Sequence, residues 1–256
     1  MKRILSWNVN GIRAVAKKGF LDWVAAEAPD VLCMQETKAQ PEQLTADLLE
    51  PNGYHAYWAS AQKKGYSGVA IYTREKPREV ATMGIERFDS EGRVLQLDYD
   101  DFVLIAAYFP NSQDGGKRLD YKIDFCESIQ KVCDDLGSSG KRVVLCGDYN
   151  VAHKPIDLAR PRENEKSPGY LPEERAWMDR FVGAGYVDTF RMFNSEGGNY
   201  TWWSYFTKGR ERNVGWRIDY HCVNPAARDA VRGARILADV MGSDHCPVEV
   251  TLDTER

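Results

Sequence analysis

The sequence lacks any long apolar run. Among its 256 residues, no uninterrupted apolar stretch reaches the roughly 20 residues that a membrane-spanning helix needs. The start of the chain carries a basic pair, Lys2 and Arg3, but the polar residues Asn8, Asn10 and Arg13 follow at once. This pattern does not provide the apolar core of a secretion signal. We therefore expect a cytoplasmic protein with no membrane partner, acting as a monomer.

The six cysteines lack the spacing of a zinc or dithiol site. None of them forms a Cys-x-x-Cys pair, which disfavours both kinds of site. Most lie inside apolar runs, as Cys33 does between Leu32 and Met34. We expect reduced, buried thiols.

An overall positive charge is also absent. The formal net charge is −4 at pH 7, which argues against a protein whose whole surface attracts nucleic acid. Contacts with phosphates then require local basic clusters, although any single lysine in them is more often just a solvated residue. The clusters are Arg13 with Lys17-Lys18, Lys63-Lys64, Lys117-Arg118, and the group Lys208, Arg210, Arg212 and Arg217.

Repeats, low-complexity tracts and interdomain linkers are missing as well. Hydrophobic residues make up 43% of the chain and charged residues 28%, which is typical of a globular protein. We predict one domain over residues 1–256. The longest polar stretch, residues 154–170, is predicted to be a surface loop, and long loops in compact domains are often functional.

Short apolar runs rich in β-branched residues predict buried strands. These runs cover residues 4–5, 31–34, 69–72, 103–108, 143–146, 218–223 and 247–252. Between them, apolar residues recur at helical spacing over residues 20–24, 119–136 and 172–182. Because strands and helices alternate without a regular βαβ array, we predict an α/β fold with two mixed sheets packed face to face and helices outside.

One pattern recurs six times: a short apolar strand lies next to a small set of polar side chains. The sets are Asn8; Gln35-Glu36; Tyr108 followed by Asn111; Asp148 with Asn150; Asp219; and Asp244-His245. Ligand sites of sheet proteins gather at strand ends, and oxygen-rich sets without cysteine suit a hard cation such as Mg²⁺. A single Gly-Asp turn is more often structural. The prediction therefore depends on the six sets together.

Five motifs resemble those of the exonuclease III-type AP endonucleases, which belong to the endonuclease/exonuclease/phosphatase superfamily. They follow the family order along essentially the whole chain: SWNVNGIR from Ser6, QETK from Gln35, GDYNVAH from Gly147, WRIDY from Trp216 and GSDHCP from Gly242. The resemblance implies a four-layered α/β sandwich and a need for Mg²⁺, with Mn²⁺ as a substitute. It further implies DNA repair by hydrolysis of the phosphodiester 5′ to abasic sites in double-stranded DNA. The resemblance also implies 3′-phosphodiesterase and 3′–5′ exonuclease activities and allows incision at deoxyuridine, but the sequence does not rank these activities.

The resemblance and the chemistry of the side chains together suggest roles for the strand-end residues. Glu36 is expected to bind the metal, with Asn8 close by, and Asp244 either assists there or orients its neighbours. Asp148 and Asn150 are expected to activate and orient the attacking water.

Two further pairs complete the expected catalytic set. Asp219 and His245 are expected to form a carboxylate–imidazole pair, in which the carboxylate fixes the tautomer and favours the protonated ring. Whether His245 acts as a base or as a cationic donor stays open, although the family favours the donor. Tyr108 and Asn111 are expected to hydrogen-bond the phosphate or the leaving group.

An aromatic segment near residue 200 predicts a substrate pocket. Trp202, Trp216 and Ile218 match positions that line the family's pocket for a flipped, base-less sugar, and we place Phe206 with them. For Trp203, core packing and pocket lining are equally favoured, since side chains alternate between the two faces of a strand.

Two positions depart from the family pattern. Asn10 stands where some members carry Asp, and Asp114 lies where some members place an arginine that enters the DNA groove. We therefore expect Lys117 or Arg118 to contact the DNA backbone instead.

Two other functions share parts of this pattern. A phosphatase or phosphodiesterase for lipid or inositol phosphates would use the same catalytic core without needing the tryptophan pocket. A catalytically silent DNA-binding module is disfavoured, because all the expected acids and the histidine are present.

Overall fold

Twelve β-strands form the centre of the computed structural model, which describes residues 1–254. In chain order they are β1 (Lys2–Asn8), β2 (Val31–Gln35), β3 (His55–Ala59), β4 (Val69–Thr73), β5 (Glu79–Ala81), β6 (Val94–Asp98), β7 (Val103–Tyr108), β8 (Val143–Asp148), β9 (Val187–Asp188), β10 (Asp219–Val223), β11 (Val231–Ile236) and β12 (Val248–Leu252). They form two six-stranded sheets. Sheet A has the order β11-β12-β1-β2-β4-β3, and sheet B has the order β5-β6-β7-β8-β10-β9.

Helices cover the outer faces of both sheets. They are α1 (Ile12–Ala16), α2 (Phe20–Glu27), α3 (Ala46–Leu49), α4 (Glu86–Asp89), α5 (Leu119–Ser138) and α6 (Pro172–Gly183). A seventh helix, α7 (Thr189–Phe193), instead contacts β11 of sheet A and β10 of sheet B. Proline opens α6 and two glutamates lie in its first turn, which suits the free N–H groups and positive dipole end of a helix start. Within residues 1–254, no helix has the length and apolar character that crossing a membrane requires.

The alternation of side chains along each strand builds the layers. In β1, Ile4 packs between the sheets with Val144, whereas Leu5 packs outward with Phe20 of α2. On the far side, Ile105 of sheet B packs against α5 and α6. Because neighbouring residues of a strand point to opposite faces, each sheet contributes one face to the central core and one to a helical layer. The predicted four-layered α/β sandwich is therefore confirmed.

Each sheet contains one parallel pair of strands at its centre. In sheet A, β1 runs parallel to β2, with Asn8 opposite Gln35. In sheet B, β7 runs parallel to β8, with Tyr108 opposite Asp148. Strand β10 is antiparallel to β8 and begins with Asp219 opposite Asp148. The carboxyl ends of four strands and the start of a fifth thus carry five of the six predicted polar sets, and the sixth, Asp244-His245, lies shortly before β12.

The predicted strands and the three predicted helices are confirmed, but five strands were missed. Four of these, β3, β11, β5 and β9, are the edges of the two sheets. Edge strands tolerate charged side chains, and β5, β9 and β11 contain them. Strand β3 is mostly apolar but has no β-branched residue, so it lacked the pattern on which the prediction relied. The fifth, β6, alternates apolar residues with Gln96 and Asp98.

The segment 154–170 is irregular, as predicted, but it is not entirely a surface loop. It contains two short 3₁₀ turns, Pro155–Asp157 and Pro161–Asn164. Asp157, the last residue of the first turn, and Leu158, which follows it, are buried. The loop is thus anchored to the body at its centre. All six cysteines are buried and unpaired, as expected.

Candidate active site

Asn8 connects the two sheets at the edge where their parallel strands end. Its side-chain nitrogen donates to Glu36 Oε1 at 2.8 Å and to Asp148 Oδ2 at 2.9 Å. Its side-chain oxygen accepts the backbone N–H of Asn10 at 3.0 Å. The buried amide therefore orients both carboxylates through its nitrogen, while its oxygen is occupied by the backbone.

The turn after β8 fixes Asp148 and Asn150 relative to each other. A Cβ at Gly147 would lie 1.8 Å from the Ala107 oxygen of β7, so only glycine fits there. Asn150 adopts φ 52°, a left-handed conformation that asparagine tolerates better than most residues. Asp148 Oδ1 accepts the Asn150 backbone N–H at 2.8 Å. The carboxylate and the amide therefore face the site from one rigid turn.

His245 lies between two carboxylates. Its Nδ1 is 2.9 Å from Asp219 Oδ2, and its Nε2 is 3.9 Å from Asp148 Oδ2. Burial acts to lower the pKa of His245, but Asp219 and Asp148 outweigh it and raise that pKa. Burial raises the pKa of Asp148, although His245 acts in the opposite direction. A cationic ring donates from both nitrogens, so His245 is a donor toward the site at neutral pH.

Three side chains from different strand ends bring possible metal ligands together. Glu36, Asp148 and His245 each place one such atom within 4.8 Å of the others, although the cationic form of His245 has no lone pair to give to a metal. Lys38 Nζ lies 2.7 Å from Glu36 Oε2. Burial acts to raise the pKa of Glu36, but Lys38 and the Asn8 amide outweigh it, so the pKa is lowered. An ionised carboxylate at this position suits a hard divalent cation.

Asp244 is bound by its neighbours on both oxygens. Asn10 Nδ2 donates to its Oδ1 at 2.9 Å, and Trp202 Nε1 donates to its Oδ2 at 3.1 Å. Lys38 in turn donates to Asn10 Oδ1 at 2.6 Å. The residue at position 10, where some family members carry Asp, thus serves as an amide link between Lys38 and Asp244.

Tyr108 and Asn111 lie at the rim of the same site. Asn111 Nδ2 donates to Asn150 Oδ1 at 3.1 Å. Burial raises the pKa of Tyr108, and the charges of Glu36 and Asp148 act in the same direction. The phenol therefore keeps its proton at neutral pH and remains a hydrogen-bond donor.

An aromatic wall adjoins these polar groups. The rings of Trp202 and Trp216 meet edge to face, with centroids 6.3 Å apart at 86°. Both pack on a small cluster that includes Ile218 and Tyr170. One cavity of about 570 Å³ is lined both by this wall and by the catalytic candidates, including Asp148. The predicted pocket tryptophans and the predicted chemical groups thus share one cavity.

The irregular segment 154–170 forms another side of this cavity. Arg160, Asn164, Ser167 and Gly169 line it, and none of them was singled out from the sequence. The unusual length of the segment was the available signal. The path of the segment, and so the choice of residues that face the cavity, is fixed where buried Asp157 binds Arg217. The sequence alone does not reveal that contact.

Two aromatic residues near the wall do not line the cavity in the described chain. Trp203 is 4% exposed and packs with Tyr200 and Cys246, so of the two possibilities left open for it, the structure supports core packing. Phe206 is fully exposed, whereas Ser204 and Thr207 on either side of it line the cavity. Its side chain points into solvent at the rim.

The basic residues divide into exposed and buried groups. Lys117 is exposed, and Arg118 is half-buried, donating to Tyr66 at 2.6 Å and to Glu91 at 2.8 Å. Arg217 is 1% exposed. The suggestion that Arg217 contacts phosphate is therefore wrong.

The reason is that two acids hold the Arg217 guanidinium inside the protein. It donates to Asp157 Oδ1 at 2.8 Å and to Asp188 Oδ2 at 2.7 Å. These ion pairs anchor the segment 154–170 beneath the aromatic wall.

Comparison with known proteins agrees with this geometry. The sequence model of the endonuclease/exonuclease/phosphatase family matches residues 5–245. An exodeoxyribonuclease of Bacillus subtilis is 44% identical over 98% of this chain and 99% of its own length. A DNA-(apurinic or apyrimidinic site) endonuclease of Dictyostelium discoideum is 42% identical over 98% of this chain and 70% of its own. The structure of an AP endonuclease from Archaeoglobus fulgidus superposes with a TM-score of 0.87 at 27% identity, covering 99% of this chain and 100% of that one.

Proposed function

Because the chain belongs to the endonuclease/exonuclease/phosphatase family and groups with its exodeoxyribonucleases and AP endonucleases, we propose that it is a DNA-repair endonuclease. Its substrate is double-stranded DNA with an abasic site, and it hydrolyses the phosphodiester bond 5′ to that site. One observation carries the proposal: the cluster of Glu36, Asp148 and His245 and the wall of Trp202 and Trp216 line the same cavity.

The donor set fits a divalent cation. Glu36 supplies a hard carboxylate oxygen for the cation, and the Asn8 amide orients Glu36 and holds Asp148 beside it. Mg²⁺ favours such ligands, and Mn²⁺ substitutes for it. When bound, the cation offsets negative charge on the phosphate and on the leaving oxygen. Asp244 supports this site through Asn10 and Trp202.

The remaining groups act directly on the phosphate and the water. Asp148 accepts a proton from the attacking water, and Asn150 orients that water from the same turn. His245, kept cationic by Asp219, donates to a phosphate oxygen. Tyr108 and Asn111 donate to the phosphate or to the leaving group.

The aromatic wall supplies selectivity. An enzyme that works on duplex DNA must swing its target nucleotide out of the stack. A nucleotide without a base loses little stacking when it leaves, and the apolar side of the cavity packs against its bare sugar. Trp202, Trp216 and Ile218 form that apolar side, while the exposed Phe206 and Lys117 and the half-buried Arg118 meet the duplex outside the cavity.

The same chemistry extends to 3′ ends. A phosphodiester at a 3′ terminus presents the same bond to the same groups, so 3′-phosphodiesterase and 3′–5′ exonuclease activities accompany incision, and deoxyuridine is a further candidate substrate. We place the protein in the cytoplasm, on nucleoid DNA, as a monomer. A phosphatase for lipid or inositol phosphates is less favoured, because such substrates give the tryptophan wall no role.

The decisive experiment compares substrates under metal control. Duplexes carrying one abasic analogue, one uracil or a recessed 3′ end are incubated beside inositol phosphates, in Mg²⁺, in Mn²⁺ and in chelator. We expect incision 5′ to the abasic analogue with either metal and none in chelator, and Glu36→Gln should lose turnover while still binding duplex. Preferential hydrolysis of inositol phosphates, or full activity in chelator, would contradict the proposal.

A further inference from the structure

A fully buried ion pair joins α5 to α6, and neither of its members lines the active-site cavity. Lys122 Nζ lies 2.7 Å from Glu174 Oε1, and both side chains have no exposed surface. Burying two charges costs about as much free energy as their attraction returns, and apolar replacements are often neutral or stabilising. Stability alone therefore gives little reason for this pair.

Lys122 holds the backbone of a candidate catalytic residue. Its Nζ donates to the main-chain oxygen of Asn150 at 2.6 Å. On the other side of the same residue, the Asn150 N–H is held by Asp148 at 2.8 Å. Asn150 has φ 52°, a conformation that surrounding contacts must maintain. Both peptide groups of this residue are thus fixed, one of them by Lys122.

Glu174 holds the neighbouring rim of the site. Its Oε1 also accepts the hydroxyl of buried Ser112 at 2.5 Å, and its Oε2 accepts the Leu171 N–H at 2.9 Å. Ser112 follows Asn111, whose amide donates to Asn150 Oδ1 at 3.1 Å. The contacts close a ring through Asn150, Lys122, Glu174, Ser112 and Asn111.

We propose that Lys122 and Glu174 are positioning residues that set the placement of the Asn150 and Asn111 side chains for phosphodiester hydrolysis. This inference rests on the proposed function, which gives those two amides their role. An isolated structural pair would affect melting temperature alone. A positioning pair also affects the rate of the chemical step, because a misplacement of about 1 Å can cost about 100-fold in rate.

The test separates placement from stability. The double variant Lys122→Met/Glu174→Leu removes both charges and keeps the volume apolar, so neither charge is left buried without its partner. Ser112→Ala removes one link of the ring and leaves the ion pair intact. Ile129→Ala, at a buried position of the same helix, is the control for lost packing, and Asn150→Ala shows the effect of losing the positioned amide.

Four quantities are measured for each variant: melting temperature, duplex affinity, single-turnover rate on an abasic duplex, and its KM. We expect the double variant to melt near the wild type yet to cut about 10- to 100-fold more slowly, with duplex affinity unchanged. Ser112→Ala should slow the step about fivefold, the size expected for one hydrogen bond. Ile129→Ala should melt earlier and cut at the wild-type rate.

The outcomes distinguish the two proposals. A folded double variant with the wild-type rate, beside a slow Asn150→Ala, would overturn the positioning role alone. If the double variant does not fold, Ser112→Ala decides, and a wild-type rate there overturns the positioning role. A wild-type chain that leaves the abasic duplex intact would overturn the proposed function and this inference together.

Discussion

The substitution Trp216→Ala tests whether the aromatic wall selects the substrate or merely completes the core. The Trp216 ring is half-buried and has two edge-to-face partners, Trp202 at 6.3 Å and Tyr170 at 6.4 Å. The backbone pairing with Trp202 at 2.9 Å does not need the side chain. Each aromatic pair contributes about 0.5–1.5 kcal/mol beyond the area that it buries. The two pairs therefore contribute about 1–3 kcal/mol of unfolding free energy, to which the loss of the half-buried ring's apolar contacts adds.

The effect on substrate choice should be larger than the effect on chemistry. Contacts of an apolar pocket discriminate by about 1–3 kcal/mol, or roughly 10- to 200-fold in kcat/KM. We expect the ratio of kcat/KM for an abasic duplex to that for an undamaged 3′-recessed duplex to fall by this factor in Trp216→Ala. The groups on the phosphate are untouched, so cleavage of the 3′-recessed duplex should change little.

The chain offers a matched control in Trp23→Ala. Trp23 is also half-buried and has two aromatic partners, Trp7 at 4.9 Å and Phe20 at 6.4 Å, but it lies in the helical layer outside sheet A. Its loss should lower the melting temperature by a similar amount and leave the ratio unchanged. The reasoning is refuted if Trp216→Ala also leaves the ratio unchanged while its stability falls by the ~3–5 kcal/mol typical of a core tryptophan.

Three further predictions concern the charged groups. Asp148→Asn keeps the shape of the turn but removes the base, so single-turnover cleavage should fall about 10²–10⁴-fold; a near-normal rate would assign the base elsewhere. If Asp219 and His245 act as one unit, the double alanine variant should be little slower than His245→Ala, whereas multiplicative losses in kcat would separate them. Burial acts to raise the pKa of Asp157, but Arg217 outweighs it and lowers that pKa, so its stabilisation is present above the unfolded value of about 3.9 and is lost as pH falls through the lower folded value. Melting curves between pH 6 and 2 (about two units either side of that value) should therefore show an acid-dependent loss that Asp157→Asn reduces, and identical pH profiles would contradict the assignment.

Local patterns were enough to predict the central strands and the groups at their ends. The strands that end at Gln35, Tyr108 and Asp148 are largely buried on both faces, so most of each is a continuous apolar run. Strand β1, which ends at Asn8, offers the shorter run Ile4-Leu5. Their ends were recognisable because polar residues interrupt those runs. The edge strands gave no such signal, since β5 and β11 expose part of their surface.

Interactions between distant residues could not be predicted in the same way. Arg217 was grouped with surface bases because the two acids that hold it inside lie outside its motif. Asp157 is 60 residues and Asp188 is 29 residues earlier in the chain. In the sequence, Lys122 and Glu174 look like residues on the solvated face of a helix. Only the packing of α5 on α6 removes them from water. Charged residues are rarely buried unless paired, and a pair between distant elements leaves no mark on local periodicity.

The order of the strands along the chain determines when each catalytic residue is synthesised. Sheet A begins with β1 to β4, is left while the chain builds sheet B, and resumes with β11 and β12. Strand β12 inserts between β1 and β11, and His245 lies just before it. During synthesis, Glu36 and Asp148 therefore exist well before the imidazole that lies beside them. A growing chain carries an incomplete set of catalytic groups until its closing strand is made, so cutting activity and completion of the fold arrive together.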